Sequence, residues 1–163
     1  MIPVVDVRTE IIISRPCREV ADYAANPDNA PTWYSRIASA EWRSPRPLAL
    51  GARIAFIATF LGRTLDYTYE IEEYVPGERL VMRTLEGPFP MRTEYTWAAL
   101  DASRTLMTLR NSGAPSGFSR LVAPFMAAAM RSNITGDLRR LAGILEATDP
   151  GAPGVTDTNE NRT

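Results

Sequence analysis

The fold is decided by the stretch FSRLVAPFMAAAMRSNITGDLRRLAGILE, residues 118–146. Its apolar side chains recur every three or four residues, which is the spacing of one face of an α-helix. The stripe consists of Phe118, Leu121/Val122, Phe125, Ala129, Met130, Asn133, Ile134, Leu138, Leu141 and Leu145. A helix of this length would extend for about 43 Å, enough to cross a whole domain. Pro124 predicts either a kink or the start of the main helix behind a shorter turn.

The region before this helix, residues 39–112, has the pattern of antiparallel strands joined by turns. RIAFIATFL (53–61) leads through Gly62-Arg63 into TLDYTYEIEEY (64–74), which is typical of a hairpin. The second strand alternates strictly between apolar and polar side chains, so one face of the sheet is expected to contact water. Further strands are predicted at 79–85, 91–100 and 104–112.

The N-terminal part predicts one strand (9–14) and a short helix that begins near Pro16 and ends at Asn26-Pro27. Next comes NPDNAPTWYSRI (26–37), in which two prolines predict an irregular loop that carries Trp33 and Tyr34. Cys17 falls in the first turn of the helix, where the dipole is expected to lower its pKa. No histidine is present to activate it, so a small structural residue is the favoured interpretation of Cys17.

Composition predicts one domain, residues 1–146, followed by a disordered polar tail at 147–163. The net charge of −1 does not favour nucleic acid as a partner. The longest apolar run, 121–130, is too short to span a bilayer, so no membrane insertion is expected. No export signal is evident, and the single cysteine fits a reducing compartment, so we expect a cytoplasmic protein.

The missing residue types limit the chemistry. The chain contains neither histidine nor lysine, which excludes Ser-His-Asp and Cys-His catalysis, histidine metal sites and Schiff bases within one chain. We therefore predict no metal and no cofactor, and we assign no catalytic residue. An enzyme with this sequence would depend on Asp, Glu, Tyr, Ser, Thr, Arg, Cys17 or water.

These elements assemble into an α+β fold, in which a six- or seven-stranded antiparallel sheet curves around the long helix. Where helix and sheet diverge, a cavity is expected, which is a default site for a small molecule. The candidate lining residues are Trp33, Tyr34, Phe56, Tyr67, Tyr69, Met82, Tyr95, Trp97, Met107, Asn111, Phe125, Met126, Met130 and Asn133. Aromatic and methionine side chains are also ordinary core residues, and Trp33 in particular either fills the core or walls the entrance. The amides of Asn111 and Asn133 need partners, which a ligand, the backbone or water would supply.

Three stretches carry a resemblance to a known family. TEIIISRPCREVADYAANPDNAPTWYSRI, TLDYTYEIEEYVPGERLVMRTLEGPFP and RLVAPFMAAAMRSNITGDLRRLAGILE resemble the START-like (SRPBCC) superfamily of the birch pollen allergen, in particular its bacterial polyketide cyclase/dehydrase branch. The resemblance spans about residues 5–146 and implies a helix-grip fold. The superfamily includes carriers, hormone receptors, aromatase/cyclases and chaperone regulators, so the fold does not select one function.

Three functions remain open at this point. The first is a module that binds a small hydrophobic molecule, including aromatic or polyketide-like ones. The second is a cofactor-independent aromatase/cyclase that folds a poly-β-ketone into a reactive shape. The third is a protein-interaction module without a ligand, which an exposed apolar patch near the cavity mouth would favour. A homodimer is compatible with each of them.

Overall fold

The computed structural model describes residues 5–60, 62–87, 90–113 and 123–147. The strands are β1 (Val5–Ile13), β2 (Ile37–Trp42), β3 (Arg53–Phe60), β4 (Arg63–Val75), β5 (Arg79–Glu86), β6 (Met91–Asp101) and β7 (Arg104–Gly113). The helices are α1 (Cys17–Ala25), α2 (Ala30–Trp33) and α3 (Ala123–Ala147), with a 3-10 turn at Pro27–Asn29. The predictions for residues 118–122, and for the tail beyond residue 147, lie outside the described residues.

The strands form one antiparallel sheet in the order β1-β7-β6-β5-β4-β3-β2. The first strand of the chain pairs with the last, and every other neighbour is a sequential hairpin partner. The sheet curls around α3, which packs against β1. The predicted α+β architecture, a helix-grip-like sheet with a long C-terminal helix, is confirmed.

Helix α3 is anchored to the sheet at its C-terminal end. Leu138, Leu141 and Leu145 are buried in the core there. The Arg15 guanidinium donates a hydrogen bond from Nε to the carbonyl oxygen of Leu145 over 2.7 Å, and the backbone N–H of Ser14 donates to Glu146 Oε1 over 2.9 Å. A cation that contacts the last carbonyls of a helix also opposes the negative end of its dipole.

The N-terminal end of α3 diverges from the sheet. The Phe125 side chain is 77% exposed there. Pro124 is the second described residue of α3, and the preceding residues, which would distinguish a kink from a helix start, lie outside the described residues. Anchoring at one end and divergence at the other leave a space between α3 and the sheet.

The prediction of an irregular loop at 26–37 was wrong for residues 27–33. Both prolines occupy first-turn positions, Pro27 in the 3-10 turn and Pro31 in α2. The Asn26 side chain caps the first of these turns by accepting a hydrogen bond from the backbone N–H of Asp28 over 3.0 Å. Proline starts a helical turn as readily as it interrupts one, because its fixed φ is helical. These two short turns orient Trp33 and Tyr34 toward the interior.

Candidate functional site: a cavity between the sheet and the C-terminal helix

A cavity of about 470 Å³ lies between the sheet and the N-terminal half of α3. This volume falls within the range of about 300–1,000 Å³ that is typical of small-molecule sites. Of the candidate residues predicted from the sequence, the wall contains Tyr34, Phe56, Tyr67, Tyr69, Met82, Tyr95, Asn111, Phe125, Met126, Met130 and Asn133. Whether these residues contact a ligand stays a prediction.

Strand register explains why residues distant in sequence meet at this wall. Phe56 lies opposite Tyr67 on neighbouring strands, and Thr93 lies opposite both Met82 and Asn111. Since side chains alternate between the two faces of a strand, residues paired in this way project from the same face. Aromatic contacts continue along the wall, where the Phe56 and Tyr69 rings meet edge to face with centroids 5.7 Å apart.

Tyr34 and Tyr95 are two residues of the cavity wall, which we call the cavity floor. Their phenol oxygens share a hydrogen bond. The Trp33 ring stacks on the Tyr34 ring with centroids 3.8 Å apart and lies 6.1 Å from the Tyr95 ring. The floor is therefore built from one residue of β6 and one residue that directly follows α2.

Three candidate residues lie in the core behind the floor and not at the cavity wall. Trp33 has no exposed surface, and Trp97 and Met107 are buried opposite each other on β6 and β7. Trp97 follows Tyr95 by two positions on the same face of β6, so it shares the inward direction, but it does not line the cavity. Trp33 thus takes the core position that the sequence left as one of two alternatives.

The tyrosines of the cavity are held in their neutral form. Burial raises the pKa of Tyr34 well above its usual range, with the neighbouring Tyr95 hydroxyl as the next cause. Burial also raises the pKa of Tyr95, and it raises the pKa of Tyr69 to about 12. At neutral pH these phenols are hydrogen-bond donors and not bases.

A second polar pair lies on the strand wall. The Thr93 hydroxyl donates a hydrogen bond to Asn111 Oδ1 over 2.7 Å. Thr93 was not among the predicted site residues, although it shares a strand face with Tyr95. The inner-face alternation along β6 was the signal that could have identified it.

The described part of the cavity wall contains two charged residues that were not predicted, Asp137 and Arg36. The Asp137 side chain is buried, and its Oδ1 accepts a hydrogen bond from the backbone N–H of Ser35 over 3.0 Å. Arg36 is exposed, and its Nη2 donates to Asn133 Oδ1 over 3.5 Å. Asp137 follows Asn133 by four positions, so helical spacing already placed the two on one face.

The prediction that the pKa of Cys17 is lowered was wrong. Burial raises the pKa of the Cys17 thiol, and this effect exceeds the lowering contribution of a hydrogen bond to Thr105. The thiol also donates a hydrogen bond to the carbonyl oxygen of Gly77 over 3.5 Å. Cys17 does not line the cavity, which agrees with a structural role.

No described helix is long and apolar enough to cross a membrane. Among the described residues, no group of three His, Cys, Asp or Glu residues is arranged so that it could hold a metal ion.

Comparison with known proteins gives one family and many structures of the same fold. The family model described as "Polyketide cyclase / dehydrase and lipid transport" matches residues 4–146. A comparison with curated protein sequences finds no match.

Three similar solved structures illustrate the fold. The Zhui aromatase/cyclase from Streptomyces sp. R1128 has a TM-score of 0.75 at 18% identity, covering 92% of this chain and 98% of its own. A START superfamily protein from Mycobacterium smegmatis has a TM-score of 0.77 at 9% identity, covering 88% and 99%. The di-domain ARO/CYC StfQ from the steffimycin biosynthetic pathway has a TM-score of 0.71 at 13% identity, covering 88% and 51%. At these identities the likeness concerns the fold alone.

Proposed function

The chain belongs to the polyketide cyclase/dehydrase and lipid transport family, and on that premise we propose that it binds a small hydrophobic molecule in the cavity between the sheet and α3. The observation that carries the proposal is the cavity of about 470 Å³ with its predominantly apolar wall. Leu65, Met82, Met126 and Met130 contribute aliphatic and thioether surface to that wall. Burial of apolar ligand surface is favourable by about 25 cal/mol per Å², and flexible methionines adapt to guests of different shape.

The first test is native mass spectrometry of the protein purified from its own host. We expect a mass above that of the polypeptide, which denaturation removes and organic extraction recovers as a small molecule. The measurement needs no prior choice of ligand. It also reports the oligomeric state, which decides whether a homodimer forms.

A cavity-filling variant tests the location of the site. Ala128 and Ala129 are neighbouring exposed residues of α3, of which Ala129 lines the cavity and Ala128 does not. Ala129→Phe is expected to weaken binding of the neutral fluorophore N-phenyl-1-naphthylamine by about tenfold or more, because the new ring occupies guest volume. Ala128→Phe adds the same ring toward solvent and should bind like the wild type. Equal binding by both variants would place the ligand elsewhere. If the native mass spectrum also showed no added small molecule, the protein-interaction module without a ligand would be favoured.

A second candidate function, the aromatase/cyclase type, is favoured by the polar groups that converge on the cavity. The neutral phenols of Tyr34 and Tyr95, together with the Thr93–Asn111 pair, are suited to donate hydrogen bonds to ketone oxygens of a folded chain. Such donors polarise carbonyls, and the wall limits the shapes that a flexible poly-β-ketone adopts.

Product analysis tests this candidate. A thioester-linked poly-β-ketone mimic incubated with the protein should give one cyclised aromatic product faster than in buffer. Tyr34→Phe removes one of the donors while keeping the ring, and we expect it to slow product formation by about tenfold or more. An unchanged product distribution with and without protein would leave binding as the sole function.

A further inference from the structure

Asp137 is a buried carboxylate in the wall of a mostly apolar cavity. Its exposed fraction is 5%, and it lies on the helix side of the cavity, four positions after Asn133. The Ser35 backbone N–H, 3.0 Å from Oδ1, is the one hydrogen-bond donor that the described residues give it. A carboxylate has about four acceptor positions on its two oxygens, so one bond leaves most of its acceptor capacity unused.

No cation within the described residues forms an ion pair with Asp137. Arg36 is the other charged residue in the described part of the wall, but it is exposed and its guanidinium donates to Asn133 Oδ1. Solvent screens an exposed guanidinium far more than it screens a buried carboxylate. Asp137 is therefore the buried acidic residue that a guest meets in the described part of the cavity wall.

The neighbouring phenols do not compensate this charge. One of the two phenols donates its hydrogen bond to the other, and no described hydrogen bond runs from either phenol to Asp137. The negative charge of Asp137 contributes to the raised pKa of both, so it acts on the floor of the cavity. A buried carboxylate without a cation or sufficient donors is costly by several kcal/mol, and a guest that brings a donor recovers part of that cost.

We propose that Asp137 selects guests that carry a hydrogen-bond donor, either a hydroxyl or a protonated amine, and that the cavity rejects carboxylate guests such as free fatty acids. The inference rests on the proposed binding function and names the class of ligand for the same cavity. A hydroxyl or ammonium group within reach of Asp137 forms a charge-assisted hydrogen bond, which is stronger than a neutral one. A carboxylate at the same position would meet a like charge in a medium that screens poorly, at a cost of several kcal/mol.

A matched series of three probes tests the proposal at neutral pH: 2-naphthol, 2-naphthylmethylamine and 2-naphthoate. They share one ring system and differ in the polar group, which is neutral, positive and negative. We expect the wild type to bind the naphthoate about tenfold or more weaker than the naphthol, by isothermal titration calorimetry. The amine should bind at least as tightly as the naphthol.

Two variants identify the source of the selection. Asp137→Asn keeps the oxygen that accepts from Ser35 and removes the charge, so the naphthol-to-naphthoate ratio should fall to about threefold or less. Asp66→Asn removes a carboxylate from the exposed face of β4 and should keep the wild-type ratio. Melting temperatures establish that both variants are folded. The wild-type ratio tests the proposal even if Asp137→Asn does not fold.

The outcomes separate the two proposals. A strong preference for naphthol that disappears in Asp137→Asn alone supports the inference. Equal binding of naphthol and naphthoate by the wild type overturns it and leaves the binding function standing. A preference that persists in Asp137→Asn also overturns it, because the selection would then come from another group. Binding of none of the three probes overturns the binding function, and the inference with it.

Discussion

Replacement of Trp33 by alanine is expected to lower the free energy of unfolding by about 3–5 kcal/mol. The Trp33 ring is completely buried and stacks on Tyr34 with centroids 3.8 Å apart. Its removal leaves a large void behind the cavity floor, which the surrounding residues fill only partly. Urea unfolding followed by circular dichroism measures the loss, and Trp33→Phe, which keeps a ring against Tyr34, should cost less.

Trp42 provides the matched control. It is partly buried at the end of β2, where its Nε1 donates to Asp28 Oδ1 over 3.0 Å and the Arg46 guanidinium lies 4.7 Å from the ring centroid. Trp42→Ala therefore opens no comparable void. We expect it to lower the free energy of unfolding by less than half as much as Trp33→Ala does. Equal losses for the two variants would show that Trp33 is not the principal support of the floor.

The second large effect is a loss of stability at alkaline pH. Burial raises the pKa of Tyr69 to about 12 in the folded protein, and the pKa values of Tyr34 and Tyr95 are raised in the same direction. In the unfolded chain a tyrosine titrates near pH 10. The unfolded state therefore loses these protons first, so the stabilisation is complete below about pH 10 and declines as the pH rises toward 12.

The expected loss of stability follows from the size of the Tyr69 pKa shift. Two pKa units correspond to about 2.7 kcal/mol, and because Tyr69 borders an open cavity we expect a contribution on the order of 2 kcal/mol from it. Urea unfolding at about pH 8 and about pH 11 measures the change, with phenolate absorbance as a second signal. The chain has no lysine, so the alkaline titration belongs mainly to tyrosines and Cys17. Tyr69→Phe should flatten the decline, and an unchanged slope in that variant would contradict the assignment.

Alternation and helical spacing were sufficient to predict the fold and much of the cavity wall. Tyr67 and Tyr69 fall on the inner face because every second residue of β4 does, and Met126 and Met130 fall on the inner side of α3 because they are four residues apart. These patterns are local, so the sequence displays them directly.

The depth of the cavity was not predictable in this way. Tyr95 and Trp97 lie on one face of one strand, yet Tyr95 lines the cavity and Trp97 lies in the core. The difference depends on where α3 meets the sheet, which is a tertiary property without a local signature. Asp137 was missed for a related reason: a carboxylate within an amphipathic helix is usually assigned to the solvent side, and only the contact with Ser35 shows otherwise.

The division of α3 into two halves makes the protein a tractable scaffold for engineering. The residues that fasten the helix, from Leu138 to Glu146, are separate from Met126, Ala129 and Met130, which shape the guest space. Substitutions in the first two described turns of α3 therefore change the size of guest that the cavity accepts, with little change in the free energy of unfolding. Natural substitutions can act in the same way, because ligand selectivity can change in one half of α3 while the other half keeps the helix anchored to the sheet.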